Sequence, residues 1–375
     1  LKHVVDNHES DSVARKVQAM SDKRITRREF MRTTALAAAG VAAGIGAARA
    51  ADTAAKQKPK PLSYNENMEY RRLGKTGLMI SAISLGGHWK RLIAGSGWDR
   101  DQSGLDVLDK NRYEIISRCI DAGINYVDAC SGSEILTYAK ALRGRREKMY
   151  FGFSWYEREP RFEDWRTADA LIRGFDQGLK EAELEYVDVW RISAMMGGEN
   201  TDAEVEAMIK AFEKVHAQGK ARYLGVSSHS REWLKHVIDK YPQFAVVLTP
   251  YTAASKVMPT DSLFDTVKKR DVGVLGIKPF SSGSLFKDGA GAGGKSSEGD
   301  DELARLALRY ILSNDAITAP LAGLISAHQL DNAVRAVRER RELDVKEAAH
   351  LDRSAQDMLA DLPPDYHWLR EWEWV

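Results

Sequence analysis

The sequence predicts a closed (β/α)8 TIM barrel, and three observations carry that prediction. Short β-branched runs recur eight times, longer amphipathic stretches separate most of them, and no glycine fingerprint of a doubly wound sheet follows the first run, where Leu85-Gly86-Gly87-His88 stands instead. Parallel strands need crossovers of a dozen or more residues, and helices supply them while returning the chain to the same end.

The runs fall at 80–85, 124–128, 149–154, 187–193, 221–227, 245–249, 272–278 and 317–321. Helical patterns occupy 112–122, 135–142, 168–182, 203–218, 231–240 and 261–270, and 302–312 precedes the last run. Ahead of the first barrel strand, 70–73 and 78–80 flank Gly74-Lys75-Thr76-Gly77, a hairpin pattern placed to plug the barrel floor. Two further helices, 327–338 and 345–359, follow the last strand. A tail with Tyr366, Trp368, Trp372 and Trp374 then either folds over the barrel mouth or joins two copies. The Gly- and Ser-rich stretch 281–299, directly after the seventh run, reads as a loop at the functional end or as a solvated linker.

Composition sets the outer limits. The chain has 375 residues, 43% hydrophobic and 29% charged, with a formal charge of +1, a globular mixture. Residues 1–50 hold nine Lys/Arg against five Asp/Glu, which leaves 46 basic against 49 acidic residues in the remainder. That balance gives no nucleic-acid footprint. Cys119 and Cys130 are too few for a disulfide framework or a four-thiolate metal site.

The first fifty residues read as an address. Paired Arg27-Arg28 precede Phe30, a mild Ala/Gly-rich stretch runs from Thr33 to Ala48, and Ala48-Arg49-Ala50 offers small residues to a signal peptidase. The expectation is a twin-arginine export signal over 1–50, cleaved after Ala50, with the twin-arginine translocation machinery as partner and a periplasmic or secreted destination. Met20 stands just ahead of the basic region, so residues 1–19 read as upstream sequence. The apolar stretch is shorter than the roughly twenty residues of a membrane span, which predicts no permanent anchor. Residues 51–67 form a linker with a Lys/Pro-rich section, and 68–375 form the barrel.

In such a barrel chemistry collects at the C-terminal strand ends. Those ends carry Gly87 and His88, Asp128 and Cys130, Ser154 and Trp155, Ser193, Ser227 to His229, Thr249 and Tyr251, Lys278 and Gly323. Asp128 is the most informative, because a carboxylate closing the apolar run Ile124-Asn125-Tyr126-Val127 has to be paired or functional, unless it caps a helix.

These stretches resemble the aldo-keto reductases. The resemblance rests on 70–78 (YRRLGKTGL), 123–128 (GINYVD), Gly132-Ser133-Glu134, 219–227 (GKARYLGVS) and Lys278-Pro279, in that order. It implies a (β/α) barrel that holds a nicotinamide cofactor, NADP or NAD, in an extended pose and interconverts carbonyls and alcohols. It further implies an Asp, Tyr, Lys and His tetrad, in which a phenol protonates the developing alkoxide, a lysine held by the aspartate lowers the phenol pKa, and the histidine orients the substrate. Asp128 matches the aspartate. Ser131, Ser154 and Ser193 stand where the tyrosine, lysine and histidine belong.

Two nearby groups are candidates to replace the lost acid: Cys130, with an ordinary thiol pKa near 8.5, and His229, which ordinarily titrates near neutrality. No metal-ligand spacing links His88, Asp128, Cys130 and His229. On the cofactor side the resemblance implies Gly87, Ser227, Ser228, Lys278, Ser284 and Gly323, and Lys278 is read as an electrostatic contact to cofactor or substrate anion. The expected function is an NAD(P)-dependent oxidoreductase of weak or altered activity on a carbonyl, aldehyde or related substrate. The alternatives are a catalytically silent ligand-binding or interaction protein on the same barrel, and non-redox chemistry on a sugar or polyol.

Overall fold

The computed structural model describes residues 60–87, 105–286, 296–362 and 364–372. The expected export signal, His88 and Trp89 lie outside the described residues. Tyr70–Arg72 (β1) and Met79–Ser81 (β2) pair antiparallel around a short turn closed by Gly77 in the left-handed conformation, φ +69°. The hairpin is pinned to the barrel floor. Arg72 donates to both oxygens of Asp271 at 2.7 Å, and Lys75 N donates to Asp271 O at 2.6 Å. Leu73, Leu78 and Ile80 pack with Val189, Val246, Leu275 and Ala319, so the hairpin fills the lower barrel with apolar side chains.

The barrel strands are Ser84–Leu85 (β3), Tyr126–Ala129 (β4), Tyr150–Phe153 (β5), Val187–Ser193 (β6), Ala221–Ser227 (β7), Phe244–Pro250 (β8), Gly273–Ile277 (β9) and Ala319–Ala322 (β10). They close in the order β10-β3-β4-β5-β6-β7-β8-β9, with parallel pairing throughout. The expected first strand over 80–85 is corrected by the structure into two pieces, β2 of the hairpin and the two-residue β3. The chain bends between them because side chains satisfy its backbone: Ser81 N donates to Asn125 Oδ1 at 2.8 Å and Ser81 Oγ donates to Ile83 O at 2.6 Å.

Helices follow the strands on the outside: Leu105–Ala122 (α1), Gly132–Ala141 (α2), Ala168–Glu181 (α3), Asp202–Ala217 (α4), Arg231–Lys240 (α5), Leu263–Arg270 (α6), Glu298–Ser313 (α7) and Ala327–Arg338 (α8), with Val345–Ala360 (α9) after them. Their starts are written in the sequence. Thr201 and Glu204 form a reciprocal capping box on α4, and Ser131, Thr167, Ser230 and Ser326 each accept from a backbone N–H of the first turn. On α3 the residues Ala170, Leu171, Gly174, Phe175, Gly178 and Leu179 share one buried face, and Phe175 lies 4.3 Å from Trp190 between ring centroids. Trp190 therefore points outward from β6 into the helix layer, while its neighbours Val189 and Arg191 point into the barrel.

Candidate functional site

Strand alternation decides which side chains meet at the barrel mouth. On β6, residues two apart share a face, so Arg191 and Ser193 stand above Val189 on the inner wall. Ser193 lies level with Ser227 of β7, and Asp128 of β4 lies level with Gly152 of β5. A Cβ on Gly152 would fall 2.3 Å from Asp128 Oδ2 and 2.4 Å from Tyr126 Oη, so the missing side chain is what lets the carboxylate and the phenol lie over β5.

Arg191 organises these groups. Its Nη2 donates to Asp128 Oδ1 at 2.7 Å, and its Nη1 donates to Ser193 Oγ and to Ser227 Oγ, each at 3.1 Å. The two serine hydroxyls are 3.3 Å apart. Tyr126 Oη, beneath them, donates weakly to Asp128 Oδ2 at 3.4 Å. Asp128 and Arg191 are each only 3% exposed. Burial raises the Asp128 carboxyl above its ordinary range, with the Arg191 guanidinium acting against that rise. Burial works against the charge on Arg191 too, and Asp128 outweighs it and holds the guanidinium ionised.

Behind this pair sits a carboxylate that the strand-end reading does not reach. Glu159, 2% exposed, accepts from Ser193 N at 2.8 Å, Trp190 Nε1 at 3.1 Å, Trp155 N at 3.2 Å and the Ser154 hydroxyl. Ser154 Oγ is in turn 3.0 Å from Ser193 Oγ. Burial raises the Glu159 carboxyl, and the hydrogen bonds from Ser154 and Ser193 oppose the shift.

A cavity of about 710 Å³ opens above the pair, within the range of small-molecule sites. Asp128, Cys130, Ser131, Ser193 and His229 line it, as do Gly87, Ser227, Ser228, Lys278 and Gly323. Ser154 and Ser284 are not part of its wall. Ser154, a candidate catalytic residue in the family lysine's place, is wholly buried and turned to Glu159, behind Ser193 rather than on the cavity wall. Ser131 has a structural task too: it accepts from Glu134 N at 3.3 Å, and its hydroxyl caps α2.

The expected replacement acids are corrected by their surroundings. Burial, with Glu134 beside it, pushes the Cys130 thiol well above its ordinary value. Burial, Lys278 and Arg161 push the His229 imidazole down to about 2, so it is neutral at physiological pH. His229 stacks on Trp368 with centroids 5.4 Å apart, and Lys278 Nζ lies 5.3 Å from the same ring. Of the two readings of the aromatic tail, the structure places Trp368 over the barrel mouth. Ser228 Oγ donates to Met195 O and Met196 O at 3.0 Å, which ties down that loop. Gly87 makes room for a neighbour: a Cβ there would fall 2.1 Å from Glu134 Cδ.

Arg191 and Glu159 are the residues that reading strand ends alone leaves out. Arg191 carried a visible signal, a charged residue inside the apolar run 187–193 and in phase with Ser193. Glu159 lies six residues past the end of β5 in an irregular segment, and nothing in its local pattern marks it as buried.

Comparison with known proteins bears on this architecture. Residues 95–356 match the pattern of the aldo/keto reductase family. The chain is similar to L-glyceraldehyde 3-phosphate reductase of Escherichia coli, 24% identical over 346 residues, covering 79% of this chain and 95% of that protein. It is similar also to L-galactose dehydrogenase of Arabidopsis thaliana, 24% identical over 308 residues, covering 74% of this chain and 90% of that one. Among solved structures, an aldo-keto reductase of Bacillus halodurans in its holo form superposes with a TM-score of 0.54 at 22% identity, covering 76% of this chain and 96% of that one, a likeness of fold. With the family pattern spanning well over half its length on a closed parallel barrel, this chain belongs to the aldo/keto reductase family.

Proposed function

We propose that the protein interconverts a carbonyl and an alcohol with a nicotinamide dinucleotide, and that Arg191 takes over the part a lysine plays in the family tetrad. The supporting observation is the guanidinium on the cavity wall, held by Asp128 and carrying two serine hydroxyls. A cation fixed in this way stabilises negative charge as it develops on a substrate oxygen and needs no reorganisation to do so. Ser193 presents its hydroxyl beside that cation and donates to, or accepts from, the same oxygen.

The residues present fit the dinucleotide. Lys278, Ser282, Gly283 and Gly323 line one side of the cavity, with Gln329 from the first turn of α8. Lys278 supplies the cation a diphosphate requires, and the N-terminus of α8 adds its favourable dipole. When bound, the nicotinamide supplies or accepts the hydride. Two of the relatives are named for L-glyceraldehyde 3-phosphate and L-galactose, so the substrate proposed here is a small polyhydroxylated carbonyl or its alcohol. Tryptophan fluorescence on addition of NADH and NADPH tests cofactor binding, and a panel of hydroxyaldehydes and sugars tests turnover. The absence of quenching with both dinucleotides would sink the reading.

The proposal extends to location. The paired arginines and the Ala48-Arg49-Ala50 site support twin-arginine export to the periplasm or beyond. Export of the folded barrel would carry a bound dinucleotide with it. Substitution of Arg27 and Arg28 by lysine should retain the protein in the cytoplasm, and unchanged fractionation would rule the signal out.

A further inference from the structure

The buried carboxylate and the two serines next to it form a continuous line from the interior to the cavity. We infer that Glu159, Ser154 and Ser193 are a proton relay that exchanges the substrate hydroxyl proton with the protein interior. Glu159 and Ser154 act as positioning residues behind Ser193, which lines the cavity. The inference rests on the carbonyl–alcohol reading above.

Donor counting fixes the direction of the chain. A serine hydroxyl has one proton. Ser154 gives its proton to Glu159, so at the 3.0 Å contact between the serines Ser193 is the donor and Ser154 the acceptor. Ser193 Oγ also accepts from Arg191, and its second acceptor site is the one a group in the cavity takes in place of the 3.3 Å contact with the Ser227 hydroxyl. With Glu159 ionised, every proton in the line points inward and Ser193 is set to take one from an alcohol. With Glu159 protonated, the line reverses and Ser193 is set to give one to an alkoxide.

The atoms balance in either direction. In oxidation the alcohol O–H breaks as an O–H forms on Ser193, the Ser193 proton passes to Ser154, and the Ser154 proton passes to Glu159. The electron pair leaves the carbinol carbon as hydride to the oxidised dinucleotide. The environment of Glu159 suits a group that gains and loses a proton. It combines burial with four hydrogen-bond donors, namely Ser154 of the β5 end, Ser193 and Trp190 of β6 and Trp155 of the adjoining loop. Arg191 is the charged group acting on it from β6, with Asp128 of β4 beyond that guanidinium.

Two measurements on the full chain test the relay. Infrared titration of the wild type and of E159Q, S154A and S193A should show a protonated-carboxyl band that is missing in E159Q and displaced in both serine variants. A band unmoved in S193A overturns the inference, because Glu159 is then only a support for Ser154. Single-turnover oxidation should show a pH limb that titrates with that band, and E159Q and S154A should lose the limb with a fall in rate of about 10²-fold or more. Profiles superimposable on the wild type overturn it equally. S154A removes one hydroxyl and decides the matter if E159Q fails to fold. If the wild type turns over no substrate, the oxidoreductase reading falls, and the infrared shift in S193A still decides the relay.

Discussion

Arg191 joins three strands through two nitrogens, and substitutions there separate charge from geometry. Arg191→Lys keeps a cation on the wall but cannot reach Asp128, Ser193 and Ser227 together. It should lower carbonyl turnover roughly 10²-fold, measured as kcat/KM, while the protein stays folded. Arg191→Met leaves Asp128 buried without its partner and should lower unfolding free energy by about 3–5 kcal/mol, read by urea denaturation. The sequence showed Asp128 as a buried carboxylate in need of a partner but not which residue met it. Pairing across the barrel, from 128 to 191, depends on strand register, and register is a property of the closed sheet. The shifts of Cys130 and His229 were hidden for a similar reason: they come first from burial in the folded barrel and then from the through-space neighbours Glu134, Lys278 and Arg161.

β6 is charged near both ends. Asp188, near its start, accepts from Arg146 Nη2 and Arg222 Nη1, both at 2.8 Å, and from Phe151 N at 2.9 Å. Burial alone would raise this carboxyl, but the two guanidiniums and the N–H hold it below the ordinary value. A depressed folded-state pKa adds stability that is fully present above the unfolded value, about 4, and is lost as pH falls through the folded value. Asp188→Asn should therefore cost about 3–5 kcal/mol at neutral pH. The melting temperatures of variant and wild type should converge in acid, a comparison that calorimetry across pH 2 to 7 makes directly. Most elements were legible from their own patterns. Helix 231–240 needed only Ser230 ahead of it and Leu234, Val237 and Ile238 on one face. The run 80–85 was not, because its break depends on Asn125, far along the chain.

For the molecule as a whole, eight recurring runs sufficed to imply closure, since parallel strands with helical crossovers have few other solutions. What the tail does at the mouth required coordinates. Trp368 covers His229 and faces Lys278. Trp368→Ala should let water reach His229 and move its imidazole from about 2 toward the ordinary 6.5, followed by NMR of the ring protons. An unshifted resonance would mean that the cover comes from elsewhere.

At the opposite end the hairpin closes the barrel like a stopper, with Leu73, Leu78 and Ile80 wedged between the strands. Among the described residues the floor is therefore shut, and traffic is left to the mouth. Whatever settles deepest arrives first and departs last, so the dinucleotide and substrate of the proposed reaction would have to queue. Steady-state kinetics should follow a compulsory order, with the second product competing against the first reactant alone.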